Sequence, residues 1–86
     1  MRVVNLSRDA EKVLRRVPEK HRVQLASKLL ALSESPRPND AKKLVDSDYL
    51  RVTVGEYRVV YSITTDTIEV VLLEKRDSVY KKLRRL

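Results

Sequence analysis

Arg51, Arg58, Arg76 and Tyr80, with Lys42, Lys43 and Lys75 close to them in sequence, are the residues of this 86-residue chain best equipped for chemistry. A guanidinium presents a planar fork that grips phosphate oxygens two at a time and holds its charge at any working pH. Such a set suits the backbone of a nucleic acid. Other catalytic inventories are missing: the chain has no cysteine, one glycine and one histidine, His21. Thiolate zinc sites and Cys-His pairs are therefore excluded, and a Ser-His-Asp triad or a glycine-rich phosphate loop is unsupported. His21 falls near the first turn of a predicted helix and reads as a surface or packing residue. Arg51 and Arg58 also have a plain reading, as solvent-facing residues of a sheet, and the lysines as solvated charges.

The arginines need a scaffold that sets them on one surface, and the stretch from Tyr49 to Tyr61 supplies it. Leu50, Val52 and Val54 alternate with Arg51 and Thr53; after Gly55-Glu56, Tyr57, Val59, Tyr61 and Ile63 alternate with Arg58, Val60 and Ser62. This is the pattern of two strands folded back on each other. Glycine as the first of two turn residues suits a type II′ hairpin, whose first position needs a positive φ. A two-residue turn sets Val54 opposite Tyr57, Thr53 opposite Arg58, Val52 opposite Val59 and Arg51 opposite Val60. Directly opposed residues share a face. One face is therefore apolar, Tyr57 and Tyr61 included, and the other carries Arg51, Thr53 and Arg58.

Before the hairpin, residues 2–6 read as a short strand ending where Ser7 can cap a helix. Ala10, Val13, Leu14 and Val17 recur at helical spacing, with Arg8, Glu11, Lys12 and Arg15 outward. Pro18 ends that helix and opens a second, to about Glu34, whose apolar stripe is Leu25, Ala26, Leu29, Leu30 and Leu32. Residues 35–40, with two prolines, Asn and Asp, form a connecting loop. Residues 41–45 are a basic segment leading into the sheet, and residues 46–48 a turn. After the hairpin, residues 64–67 turn the chain into a strand from Ile68 to about Lys75. Helix or coil follows from about Asp77. The order β-α-α-β-β-β predicts a single α+β domain over residues 1–86, an antiparallel sheet packed on a helical hairpin.

Nineteen Lys and Arg against twelve Asp and Glu leave a formal charge of +7, which favours polyanionic partners. Charge alone does not choose among RNA, DNA, an acidic protein and a membrane surface. A chain this short buries only about 60% of its unfolded surface, so the core should be thin. Without cysteine there is no disulfide framework, and no apolar run approaches the roughly 20 residues that span a bilayer. The first residues lack the apolar core of a signal peptide, and the expected location is the cytoplasm.

The β-α-α-β-β-β order, the Pro-Arg-Pro loop at 36–38, the string Leu-Arg-Val-Thr-Val-Gly-Glu-Tyr-Arg-Val-Val-Tyr at 50–61 and the Lys-Arg-Asp-Ser-Val-Tyr at 75–80 together resemble the RelE/ParE toxin superfamily of toxin–antitoxin systems. The likeness covers nearly the whole chain, and its motifs are specific in combination. It implies a RelE-like fold and, in the RelE branch, a nuclease that enters the ribosomal A site and cuts messenger RNA without metal or small-molecule cofactor. It also implies a cognate antitoxin that wraps the toxin and silences it. The chemistry implied is attack of a ribose 2′-hydroxyl on the adjacent phosphate. Arg58 and Arg76 would bear the charge growing on the phosphorane, Tyr80 would move the proton of the 2′-hydroxyl, and Arg51 would orient the backbone. Lys42, Lys43, Thr53, Lys75, Lys81 and Lys82 complete the expected RNA contacts.

Two positions depart from the family pattern. Active RelE-type members commonly carry a cation where this chain has Thr53, and many carry histidine where it has Lys75; Lys75 compensates only if it reaches the same pocket. A ParE-like toxin that inhibits DNA gyrase by binding, and a decayed toxin that only binds its antitoxin, are the competing readings. The full arginine and tyrosine set favours RNA cleavage over the ParE-like reading.

Overall fold

The computed structural model describes residues 1–75. Its elements are β1 (Val3–Leu6), α1 (Arg8–Arg16), α2 (Glu19–Glu34), β2 (Lys42–Lys43), β3 (Leu50–Val54), β4 (Tyr57–Ile63) and β5 (Thr67–Lys75). The helix or coil expected from Asp77 lies outside the described residues. Among the described residues, no helix is long and apolar enough to cross a membrane.

The central hairpin follows the alternation of its residues. Val54 pairs with Tyr57, Thr53 with Arg58, Val52 with Val59 and Arg51 with Val60, the predicted register. Gly55 takes φ 59°, while Glu56 is not among the positive-φ residues, the signature of a type II′ turn. Leu50, Val52, Tyr57, Val59 and Tyr61 are buried in the main core, where Ala10 and Val17 meet them from the first helical segment and Leu25, Leu29 and Leu32 from α2. Each large apolar side chain buried there contributes roughly 1.5–3 kcal/mol.

Helix α1 begins as expected. The Ser7 hydroxyl accepts the Ala10 amide at 3.0 Å and donates to the Val71 carbonyl at 2.9 Å, tying the helix start to β5. Helix α2 keeps its predicted length, but its buried face is narrower than the predicted stripe. Leu25, Leu29 and Leu32 are buried, whereas Ala26 is exposed and Leu30 is 60% exposed. At 3.6 residues per turn, positions 25, 29 and 32 stack on one side, and 26 and 30 are rotated off it by about 100°. Ser33 takes the remaining place on the buried side, its hydroxyl donating to the Leu30 carbonyl at 2.6 Å.

The sheet runs β1-β5-β4-β3-β2 and is mixed, a correction to the wholly antiparallel sheet expected. β1 lies parallel to β5, with Val3 beside Thr67 and Leu6 beside Val70. The two strands are joined by almost the whole chain, and no local turn chemistry signals their pairing. Val4 and Leu6 point into the core and Val3 and Asn5 outward, as alternation requires. The basic segment at 41–45 contributes β2, a two-residue edge strand antiparallel to β3.

One irregularity governs the far side of the sheet. Tyr61 pairs with Val70, but Val60 pairs with Leu72, so Val71 is the extra residue of a β-bulge. Had the ladder run on without it, Glu74 would stand opposite buried Tyr57. With it, Glu74 stands opposite Arg58. Val70 and Leu73 stay in the main core, and Leu72 joins Val60, with Val71 packed against them, in a second apolar cluster.

The loop after α2 is fastened to the core by Tyr61, whose hydroxyl donates to the Pro36 carbonyl at 2.7 Å. Burial first, and the nearby Asp40 charge second, push the Tyr61 hydroxyl up to about 12, against a smaller opposing pull from Arg37.

Two outcomes follow from these constraints. Deleting Val71 turns the bulge into a regular ladder that still sets Glu74 opposite Arg58, and removes only the packing of one partly buried valine and the carbonyl bonded by Ser7, so it should lower the unfolding free energy in urea by about 1–3 kcal/mol. A loss well beyond that range would show that the ladder beyond residue 70 shifts register instead of closing over the deletion. A tyrosine with a raised folded-state value stabilises fully below its unfolded value, near 10, and loses that contribution as pH rises through the folded one. Tyr61 should therefore resist ionisation until about 12 in a tyrosinate absorbance titration, and Tyr61→Phe should remove that step.

Candidate nucleic-acid interface

The sheet face turned away from the helices is ordered in rows by the strand pairing. Nearest the Gly55 turn, Thr53, Arg58 and Glu74 stand side by side on β3, β4 and β5. In the next row Lys42 opposes Arg51, Arg51 opposes Val60 and Val60 opposes Leu72. Beyond that, the Leu44 amide donates to the Tyr49 carbonyl at 3.0 Å, which extends the β2–β3 ladder and sets Leu44 and Tyr49 on the same face. Val60 and Leu72 are buried there, with Leu44, Tyr49 and Val71 packed on them. Three cations thus share a face whose floor is apolar. Low-dielectric surroundings strengthen charge interactions made there.

Arg58 is the most telling of the three. Its side chain is half-buried, and its Nε is shielded from solvent without a hydrogen-bond partner among the described residues. A buried donor on a charged group is costly when unpaired, so native structures rarely keep one without a use. Glu74, directly across the ladder, is the one carboxylate in that row. Sequence reasoning passed over it, because its face depends on the Val71 bulge. The signal present in sequence was the run of four apolar residues, 70–73, which breaks the alternation of β5.

Of the residues expected to contact RNA, the structure brings Lys42, Arg51, Thr53 and Arg58 together. It does not bring Lys43 and Lys75 to them. Lys43 opposes Leu50 and Lys75 opposes Tyr57, both residues of the helical face, so strand pleating turns these two lysines to the other side of the sheet. Lys75 lines a recess there with Val13, Val17, Pro18 and Tyr57 rather than standing beside Thr53. Arg76, Tyr80, Lys81 and Lys82 lie outside the described residues. His21 packs its ring on Tyr57, with centroids 5.7 Å apart, on the helical side and away from the arginines, as expected of a packing residue.

Comparison with known proteins places this geometry in a family. The family model described as the ParE toxin of the type II toxin–antitoxin system parDE matches residues 4–80. Among curated proteins compared by sequence, none matches. Among solved structures, the isolated RelE toxin of E. coli is similar at 25% identity and TM-score 0.78, with 99% of this chain and 97% of that one covered. The RelE–RelB complex of Pyrococcus horikoshii is similar at 26% identity and TM-score 0.78, covering 87% and 94% of the two chains. The E. coli RelBE toxin–antitoxin complex is similar at 25% identity and TM-score 0.77, covering 87% and 96%. The α+β architecture, with two helices on one side of a five-stranded mixed sheet, is thus that of the RelE toxins, and the chain belongs to the RelE/ParE superfamily of toxins of type II toxin–antitoxin systems.

Proposed function

We propose that the chain is a ribosome-dependent endoribonuclease that arrests translation in the cytoplasm by cutting messenger RNA, and that a cognate antitoxin holds it silent. The observation that carries this reading is the Arg58 guanidinium, its Nε shielded from solvent and without a hydrogen-bond partner among the described residues, on a face shared with Arg51 and Lys42. The likeness to RelE toxins, two of them in complex with RelB, supports the toxin role and the antitoxin partner.

In the reaction, the 2′-oxygen attacks the adjacent phosphorus, a phosphorane forms, and the bond to the 5′-oxygen breaks. The products are a 2′,3′-cyclic phosphate and a 5′-hydroxyl. The 2′-hydroxyl gives up its proton, and the departing 5′-oxygen takes one. Arg58 donates to the equatorial oxygens as their charge grows, an interaction stronger in the transition state than in the bound substrate. Arg51 and Lys42, one row further along the face, hold the neighbouring backbone. Arg76, as a second phosphorane donor, and Tyr80, as the group that moves the proton, enter on the family resemblance.

The second reading, a ParE-like toxin that binds DNA gyrase, is favoured by Thr53, which puts a neutral hydroxyl beside Arg58 where active RelE-type chains carry a cation. Mapping transcript 5′ ends after induction separates the two. Cuts associated with codons support the nuclease, whereas intact transcripts with DNA damage support the gyrase poison.

For the site itself, Arg58→Ala should leave urea stability within about 1 kcal/mol of wild type and lower cleavage on ribosomes roughly 100-fold, the scale of losing one transition-state donor. Full toxicity at matched expression would remove Arg58 from the site. Thr53→Lys adds a charge-assisted phosphate contact next to Arg58 and should raise the cleavage rate on ribosomes. No gain would mean that position 53 does not face the messenger.

A further inference from the structure

Lys43, turned away from Arg51, has neighbours of its own. With Arg37, Asp48, Leu50, Ser62 and Ile63 it lines a recess of about 280 Å³ at the end of the sheet farthest from the Gly55 turn. Arg37 reaches this recess from the 35–40 loop, which is fastened at three points. Tyr61 donates to the Pro36 carbonyl at 2.7 Å, the Ala41 amide to the Pro38 carbonyl at 3.0 Å, and Lys28 Nζ pairs with Asp40 at 2.8 Å. Proline on either side of Arg37 narrows its backbone further. A cation delivered by so fixed a loop loses little freedom when it takes up an anion.

The recess combines two cations, a hydroxyl and an apolar floor of Leu50 and Ile63, with Asp48 as its one carboxylate. That composition suits a phosphodiester, with the sugar over the floor and the oxygens on Arg37 and Lys43. Its position narrows the ligand further. Lys42 and Lys43 are consecutive residues of the two-residue edge strand β2, and pleating sends one to each face of the sheet. Cationic contacts therefore continue from Arg58 and Arg51 through Lys42, around the sheet edge, to Lys43 and Arg37. A compact ligand could use one end of this path, but a polyanionic strand could use all of it.

We propose that the Arg37–Lys43 recess is a second phosphate site for the RNA strand whose backbone crosses the Arg51–Arg58 face, the strand passing over the β2 edge between the two. This rests on the reading of the chain as an RNA-cleaving toxin, and the test separates the two claims.

The measurement is equilibrium binding of the full chain to a non-cleavable, 2′-O-methyl single-stranded RNA across a salt series. Each phosphate contact on a single strand adds about 0.7 to the slope of log affinity against log salt, so Arg37→Gln with Lys43→Gln should lower it by about 1.4 and weaken binding roughly tenfold at 0.15 M salt. A four-nucleotide RNA, too short to round the edge, should bind wild type and double variant alike. Asp48→Asn should tighten binding of the long RNA, and the charge-keeping pair Arg37→Lys with Lys43→Arg should restore the slope and so rule out misfolding. An unchanged slope in the double variant overturns the proposal. So does an unchanged slope with weakened binding of an acidic antitoxin peptide, which would make the recess a protein-docking site. If wild type cuts no messenger while the slope still falls, the nuclease reading fails and the recess stands; if cleavage is robust and the slope does not move, the reverse holds.

Discussion

Strand β4 hydrogen-bonds to β3 on one side and to β5 on the other, and both apolar layers of the protein hang on that central ladder. Because side chains alternate along a strand, each pairing choice decides which residues reach the helices and which reach the opposite face. The β3–β4 half follows from a two-residue turn at the only glycine of the chain. The β4–β5 half does not stay in step with it. The bulge at Val71 shifts the ladder by one residue, which keeps Val70 and Leu73 in the main core and sends Leu72 through to the far face. Without that shift a carboxylate would be driven into the core and the arginine row would lose its only acid.

The two faces carry different work. The helical side contributes stability, with nearly all the large fully buried side chains, among them Tyr61, Leu25, Leu32 and Ile68. The other side holds a small apolar floor and a group of cations that repel one another. A formal charge of +7 on 86 residues works against compactness but attracts a polyanion from a distance. The Nε of Arg58, shielded from solvent and without a hydrogen-bond partner among the described residues, belongs to the same compromise, since under the proposed function a donor already desolvated would need no solvent reorganisation when charge develops near it. Glu74 moderates the repulsion from across the ladder.

Fixed connections keep these cations in place. Ser7 serves helix and sheet at once, accepting from Ala10 and donating to a carbonyl freed at the bulge. The loop at 35–40 gains its order from Tyr61 and from the Lys28–Asp40 pair. Asp40 is held below the ordinary carboxylate range chiefly by its hydrogen bond from Lys28, so that pair contributes at neutral pH and is lost in acid. Its exposure keeps the contribution within the small range of surface ion pairs, and its consequence is geometric: it helps hold the segment that carries Arg37.

Sequence by itself determined whatever depends on neighbours a few residues apart. The hairpin register, the type II′ turn at Gly55, the Ser7 cap, the break at Pro18 and the grouping of Arg51, Thr53 and Arg58 all follow from short-range sterics and alternation, and all are present in the fold. Only the tertiary structure decided what depends on partners far apart in the chain. The parallel pairing of β1 with β5 joins residues more than 60 positions apart, so no turn preference announces it. The facing of Lys43 and Lys75 depends on strands whose ladders neither residue specifies locally. The rotation of α2, which leaves Leu30 exposed and buries Ser33, is set by the shape of the sheet beneath it rather than by the helix's own composition. Glu74 shows the difference most directly: its type can be read anywhere in the chain, but its place beside Arg58 exists only because one valine in a run of four apolar residues is left out of the ladder.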